Sequence, residues 1–379
     1  MWFKIDLPFK IKKPILAVGA DIKNSLCFAY GKSAFISEVI NDLGLAVNFK
    51  KFQKTITSIR QRFGLLPKII AYDKHPEYFS TKYILDLPKY RAKISNGTKF
   101  ISVQHHHAHI ASCMLENKLS NQRVIGVAFD GTGFGQDHTL WGAEFLVADY
   151  QGFKRAAHLK YIPLLGGKRA ILEPWRMASA WLYLAFGNDF LDLDFAQGID
   201  KKDWAVLEKM WKQNFNAVPA SSMGRLFDAV AALVLGMNQV KFEAEAAISL
   251  ERAASGYKSK PRSYPFKIKK TGQGLVIDPV LTLKQIVADL KNGCSKQEAA
   301  SCFHLTVAQM IRKTCLEIRD NTRVNTVIVS GGVFQNKLLL RLSLDLLEKE
   351  RFHILRHKIL PYSDASISLG QAAIAALTN

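Results

Sequence analysis

The sequence predicts a mixed α/β protein of two lobes. Three observations carry that expectation. At 379 residues the chain exceeds what a single hydrophobic core usually serves. Alternating apolar stretches open two separate blocks, at 14–38 and 124–150. Each block is followed by segments of helical spacing, and strands interleaved with helices build layered α/β folds.

Taken in order, ILAVGA, LCFAYG and SAFISE, with a polar turn around DIKNS, predict a strand–turn–strand–turn–strand opening. Leu45, Val47, Phe49, Phe52, Ile56 and Ile59 then fall at the spacing of an amphipathic helix. KIIAYD (68–73) reads as a short buried strand with a helix after it, and FISV (100–103) as a strand running into a histidine-rich helix. VIGVAFD (124–130) and EFLVADY (144–150) open the second block, and a long helical middle includes 173–186 and 224–237. Ser295 and Glu298 form a capping box that starts a helix reaching to about Arg319. The remainder reads as strand VNTVIVS (324–330), a Gly-Gly turn, an amphipathic helix, strand FHILR (352–356) and a last helix after Asp364. Residues 255–274 are polar, basic and carry two prolines, which predicts a surface excursion.

The formal charge is +20. Such a surplus favours acidic partners without specifying one, and because Lys and Arg are spread along the chain, nucleic acid is the weaker reading. Five cysteines without a CxxC pair argue against a disulfide framework and a structural zinc site. The N-terminus lacks the apolar core of a signal peptide, and no stretch approaches the roughly 18 apolar residues of a membrane span. The expected compartment is the cytoplasm, with no membrane partner.

Chemistry concentrates in three places. In Gln104-His105-His106-His107-Ala108-His109, a helix would put His105 and His109 one turn apart on a shared face. Two imidazoles at that spacing can share a metal ion; the competing reading is a polar helix start with one or two histidines packed inside. A divalent ion needs more ligands, and Asp130 and Asp364 are the candidates. Asp364 precedes a helix, where an N-cap role competes. In Asp130-Gly131-Thr132-Gly133-Phe134-Gly135, glycines on alternate positions let backbone N–H groups approach an anion. Ser330-Gly331-Gly332-Val333-Phe334-Gln335-Asn336 offers a close backbone surface before a helix, as a nucleotide needs. Asp228, in the apolar segment GRLFDAV, either pairs with Arg225 or hydrogen-bonds ribose hydroxyls; the residues alone leave both open.

VQHHHAHIASC, VAFDGTGFGQDHTLWGAEF, EPWRMA, GRLFDAVAAL, SGGVFQN and PYSDASISLGQ occur in an order that resembles the HypF family of hydrogenase-maturation carbamoyltransferases. The resemblance covers nearly the whole chain but only the family's C-terminal module, which is similar to the TsaD-type tRNA-threonylcarbamoyl enzymes and the antibiotic O-carbamoyltransferases. It implies the two-lobed sugar-kinase/Hsp70/actin-like (ASKHA) fold with a nucleotide cleft between the lobes. The expected division is 14–122 for the first lobe, with 364–379 returning to it, and 123–363 for the second, with helical insertions. By resemblance, His105, His109, Asp130 and Asp364 would hold a divalent metal, iron or zinc. Gly131, Thr132 and Gly133 would hold the phosphate end of ATP, AMP or carbamoyl adenylate, Asp228 the ribose, and Gly331, Gly332 and Asn336 the nucleoside. The implied reaction is attack on the carbamoyl carbon by the C-terminal thiol of a HypE-like protein. Cys113, on the face of His105 and His109, reads as a small buried thiol.

Upstream acylphosphatase, zinc-finger-like and YrdC-like modules of the family are not in this sequence, which predicts an adenylate supplied by a separate YrdC-like protein. Three positions depart from the family pattern: Lys168 follows Gly166-Gly167, Glu243-Ala244-Glu245 replaces Glu-Gly-Gln, and Asp364-Ala365-Ser366 replaces Asp-Gly-Gly. A change from Gly to Ala matters where the backbone needs φ > 0. Threonylcarbamoyl transfer to tRNA, small-molecule O-carbamoylation and a non-catalytic nucleotide-binding role are the competing functions; DGTGFG in place of SGGHTQ weighs against the tRNA reading.

Overall fold

Strand β1 (Trp2–Ala17) is apolar on both faces: Ile15 and Ala17 pack into one core and Leu16 into another. A strand sealed on both sides belongs inside a layered fold. The computed structural model describes residues 2–86 and 97–378, so Asn379, the end of the expected returning segment, lies outside the described residues. In it β2 (Cys27–Ser37) pairs antiparallel with β1, while β3 (Ile69–Asp73) and β4 (Lys99–Val103) add in parallel, giving the order β2-β1-β3-β4. Helices α1 (Ala46–Thr57), α2 (Ile59–Phe63) and α3 (Phe79–Asp86) supply Phe52, Ile56, Ile59 and Ile84 to the core shared with Leu16 and Ile70.

The expected three-strand opening is in fact two strands. LCFAYG and SAFISE join into β2 across Gly31, and β1 begins at Trp2, well before residue 14. Register shifts between Asp6 and Ile11 and between Ile11 and Ile15 bring Ile5, Leu7 and Ile11 to the interior. Such bulges interrupt the two-residue alternation by which a strand is recognised.

From β4 the chain enters α4 (His105–Glu116) and crosses into a second, nine-stranded sheet. Its strands are β5 (Val124–Phe134), β6 (Leu140–Ala148), β7 (Phe153–Leu159), β8 (Ile162–Leu165), β9 (Ala217–Ser222), β10 (Lys267–Thr271), β11 (Gly274–Asp278), β12 (Thr326–Ser330) and β13 (His353–Arg356). The main order is β10-β11-β7-β6-β5-β12-β13, with β9 paired to β6 and β8. Residues 255–274 are therefore only partly an excursion: KIKKT forms the edge strand β10. Its exposed lysines leave the outer edge charged, which discourages pairing with another chain.

Helices α5 (Arg169–Leu172), α6 (Trp175–Phe186), α7 (Lys201–Lys212), α8 (Met223–Leu235), α9 (Glu245–Ser255), α10 (Val280–Lys291), α11 (Lys296–Thr322) and α12 (Lys337–Lys349) share the core that takes Ile125, Val127 and Phe129 from β5. The predicted cap of α11 is present: Ser295 Oγ accepts the Glu298 N–H at 3.1 Å. The other face of β5, through Val124 and Ala128, shares a core with α4, β1 and the last helix, α13 (Ile367–Leu377). Helices α4 and α13 thus lie between the sheets. Their approach depends on Gly370, where a Cβ would sit 1.9 Å from the Ala108 carbonyl oxygen. The tie from α13 to the first sheet includes the Gly19 N–H, which donates to Gln371 Oε1 at 2.9 Å. Among the described residues no helix is long and apolar enough to cross a membrane.

Candidate metal and nucleotide site

Gln104 ends the connection from β4 and caps α4: its Oε1 accepts the His107 N–H at 2.8 Å. The helix therefore starts at the sheet edge, and one turn of it presents His105 and His109, both fully buried, to the same point. Asp130 of β5 and Asp364, in the turn before α13, arrive from the other elements. His109 Nε2 lies 2.9 Å from Asp130 Oδ2 and 3.5 Å from Asp364 Oδ1. His105 Nε2 lies 3.7 Å from the same Asp130 oxygen and 3.6 Å from the same Asp364 oxygen. One ligand atom from each residue falls within 4.8 Å of all the others. His105 Nε2 is buried and makes no hydrogen bond. An orphaned imidazole nitrogen facing two carboxylates fits the coordination of a divalent cation, and the nitrogen–oxygen donor set suits iron and zinc alike.

The surroundings hold these groups in place. His105 Nδ1–H donates to Asp73 Oδ2 at 2.8 Å, which leaves Nε2 as the nitrogen available to a metal ion. Asp130 divides its carboxylate, Oδ1 accepting the Gly131 N–H at 2.8 Å while Oδ2 faces the histidines. Burial opposes charge on every member, yet mutual attraction wins: Asp364 and Asp73 hold His105 well above the ordinary histidine range, and Asp130 lies well below the usual carboxylate range. Burial also pushes Asp364 up, as does Asp130, but the histidines leave it lowered. The other two histidines of the run do different things. His107 Nε2–H donates to the Asp149 carbonyl at 2.6 Å, a structural brace. His106 is buried against the Gly133 backbone with Nε2 unpaired.

The glycine segments differ from the turns expected. Gly131, Thr132 and Gly133 do not follow β5 but lie within it, in a bulge between Phe129 and Gly133 that displaces the register against β6. Gly224, at the start of α8, packs on this bulge, where an added Cβ would meet Gly131 Cα at 3.0 Å. Asp228, one turn along α8, lies with an oxygen 2.8 Å from Arg225 Nε, and Glu243 Oε1 lies 3.6 Å from the Arg225 guanidinium. That Asp228 oxygen forms no hydrogen bond, and burial lifts the carboxyl to about 6 despite Arg225. The pairing is therefore electrostatic, and the oxygen is free to accept from a ligand hydroxyl. Across Asp130, Gly331 adopts φ +102° against the Phe129 carbonyl, and Gly332 lies against Asp130 Oδ1. The helix does not start at these glycines. A 3₁₀ turn, Gly332–Gln335, intervenes and Asn336 caps α12. Asn336 spends Oδ1 on the Leu339 N–H (2.8 Å) and one N–H on His304 Nε2 (2.9 Å).

Of the three departures from the family pattern, Lys168 is exposed and precedes α5. Ala244 takes φ +70°, whereas Ala365 and Ser366 keep ordinary negative φ. Cys113 is fully buried and its thiol is pushed well up, as a packing residue's would be. Sequence reasoning missed Asp73, Glu116 and His357, which stand behind the two histidines, and named Ser330 only as part of the nucleotide segment. The available signals were a charged residue closing an apolar strand, for Asp73, and an acid in the last turn of a helix, for Glu116, where the helix dipole disfavours it.

Two family models match the chain: "HypF Kae1-like domain" over residues 10–116 and "Carbamoyltransferase, Kae1-like Domain, second subdomain" over residues 126–371. The chain is 32% identical over 382 residues to carbamoyltransferase HypF of Synechocystis sp., covering 97% of this chain and 48% of that protein. It is also 32% identical to a carbamoyltransferase HypF homolog of Cupriavidus necator, over 96% of this chain and 91% of that protein. A crystal structure of full-length HypF in the phosphate- and nucleotide-bound form superposes with a TM-score of 0.91 at 39% identity, over 98% of this chain and 47% of that one. The chain thus spans about half the length of most of the curated relatives it matches. The fold is the mixed α/β one expected, built on two sheets, and it is shared with that HypF structure.

Proposed function

The chain belongs to the HypF carbamoyltransferase family, and on that premise we propose that it transfers a carbamoyl group from carbamoyl adenylate to a protein thiol, the C-terminal cysteine of a HypE-like acceptor in nickel–iron hydrogenase maturation. The observation that carries the reading is the meeting of His105, His109, Asp130 and Asp364 beside two glycine-bearing segments. A bound divalent cation would supply Lewis acidity at the carbamoyl oxygen and charge for the adenylate phosphate. The residues of the chain do the rest. The backbone of the bulge at Gly131, Thr132 and Gly133 borders the phosphate, beside the proposed metal ligand Asp130, which holds the Gly131 N–H. The free oxygen of Asp228 accepts from ribose, and Gly331, Gly332 and Asn336 border the nucleoside. A nucleotide-bound HypF structure of the same fold supports this use of the cleft.

An acceptor thiol from outside fits the state of the chain's own cysteines. Cys27, Cys113, Cys302 and Cys315 are buried, and Cys294 has its thiol pushed up to about 11 by burial and nearby acids. None is poised as a nucleophile at neutral pH. A YrdC-like adenylate-forming protein is the supplier we propose, with the cytoplasm as the compartment. His105→Ala is expected to lose both the metal and carbamoyl transfer while keeping the fold. Metal analysis, AMP release from carbamoyl adenylate and circular dichroism check the three together, and undiminished metal content in the variant refutes the ligand assignment.

A further inference from the structure

A hydrogen-bond chain leaves the site through His109, and nothing in the proposed transfer uses it. His109 Nδ1 lies 3.4 Å from Ser330 Oγ, at the end of β12. Ser330 Oγ lies 3.0 Å from His357 Nε2, and His357 Nδ1 lies 2.6 Å from Glu116 Oε2. The other Glu116 oxygen accepts the backbone N–H groups of Lys358 at 2.6 Å, Ile359 at 2.5 Å and Leu360 at 3.3 Å. His109, Ser330 and the His357 side chain are fully buried, and the Glu116 side chain is 1% exposed.

The direction of every link follows from the last one. A carboxylate can only accept, so His357 carries its proton on Nδ1 and its Nε2 is a lone pair. The Ser330 hydroxyl must then donate to His357, which leaves its own lone pair for the Nδ1–H of His109. His109 is therefore fixed with Nε2 turned toward Asp130 and Asp364. We propose that Glu116, His357 and Ser330 are a positioning relay that sets the tautomer and ring orientation of His109 as a metal ligand. The inference rests on the metal reading above. It gives the two ligand histidines different supports: His105 leans on a carboxylate directly, and His109 on a carboxylate two groups away.

Glu116 has a second task in the same arrangement. It ends the helix that carries both histidines, and it ties down 358–360, just ahead of Asp364. The Asn117 amide, donating to the Arg356 carbonyl at 2.9 Å, and Ser112 Oγ, donating to the Ser366 carbonyl at 2.8 Å, hold the same segment on either side. One helix thus presents two ligands and fastens the segment that brings a third.

Calorimetric titration of Zn²⁺ into the intact metal-free chain tests the relay without any turnover. Supporting groups of this kind are worth roughly 10–100-fold in metal affinity. Ser330→Ala and Glu116→Gln should weaken binding by at least about tenfold, with Ser330→Thr, which keeps the hydroxyl, returning to the wild-type value. Wild-type affinity in Ser330→Ala, with weak binding by His109→Ala, overturns the relay alone. Equal binding by wild type and His109→Ala overturns the metal reading and the relay with it. Because Glu116→Gln can disturb folding, ring ¹⁵N shifts of His357 in the wild-type chain give a second readout. A protonated Nδ1 with a bare Nε2 supports the relay, and the opposite tautomer refutes it.

Discussion

Ala244, where the family resemblance leads one to expect glycine, sits in strained backbone. It precedes α9 with φ +70°, a left-handed conformation that costs an L-residue roughly 1–2 kcal/mol. Glycine relieves that strain but loosens the unfolded chain by about 0.4–1 kcal/mol. Ala244→Gly should therefore raise stability by a net ~0.5–1 kcal/mol, read as a higher denaturant midpoint at unchanged slope; an equal or lower midpoint shows that the surroundings already compensate. The parallel changes at Ala365 and Ser366 carry no such penalty, since both keep negative φ. At this scale the four side chains that meet were legible as candidate ligands because each carries its own local signal: a helical repeat for the histidines, a strand for Asp130, a helix start for Asp364. Their supports were not. Asp73 stands 32 positions from His105, Ser330 221 from His109, and His357 241 from Glu116. No spacing rule reaches across such separations; only the folded layers bring the pairs together.

The decisive pair of elements is α4 and α13, packed backbone to backbone at Gly370. A methyl group there would point into the Ala108 carbonyl, and main chain cannot swing aside as a side chain can. Gly370→Ala is expected to destabilise the protein by about 2–3 kcal/mol or more and to weaken metal binding, because the displaced helix follows directly from the turn bearing Asp364. Wild-type stability with full metal content would show that the two helices can part without consequence. Long amphipathic helices and strands with clean alternation were readable from the sequence. Several of the pieces that escaped break a local rule: β1 by its bulges, β2 by a glycine inside the strand, β8 and β9 by their short length and by Pro163 and Pro219. The bulge at Gly131–Gly133 belongs to the same class. Its glycines pointed to close backbone approach, yet hydrogen bonding to β6 on both sides keeps the segment within the strand.

Across the whole molecule, the candidate cation would join residues from the second sheet, from α4 between the sheets and from the turn ahead of α13. An ion that binds only the assembled site stabilises the fold in proportion to its concentration, by about 2.7 kcal/mol at a hundredfold excess over Kd. Adding Zn²⁺ to the metal-free protein should raise the thermal midpoint, and His105→Ala should abolish the rise; a midpoint indifferent to metal in the wild type argues that the four side chains hold no ion. The two-sheet plan was legible because its cause, two strand-rich blocks each followed by helices, repeats along the chain. The packing of α13 between the sheets has a different consequence, one that concerns birth on the ribosome. The face of β1 that carries Ile15 and Ala17 is closed in part by Ile367, Leu369 and Ala373, residues translated hundreds of codons later. The first sheet must wait, with that face uncovered, until the far end of the helix pair emerges, so synthesis itself sets a period in which a chaperone or a premature neighbour competes for the greasy surface.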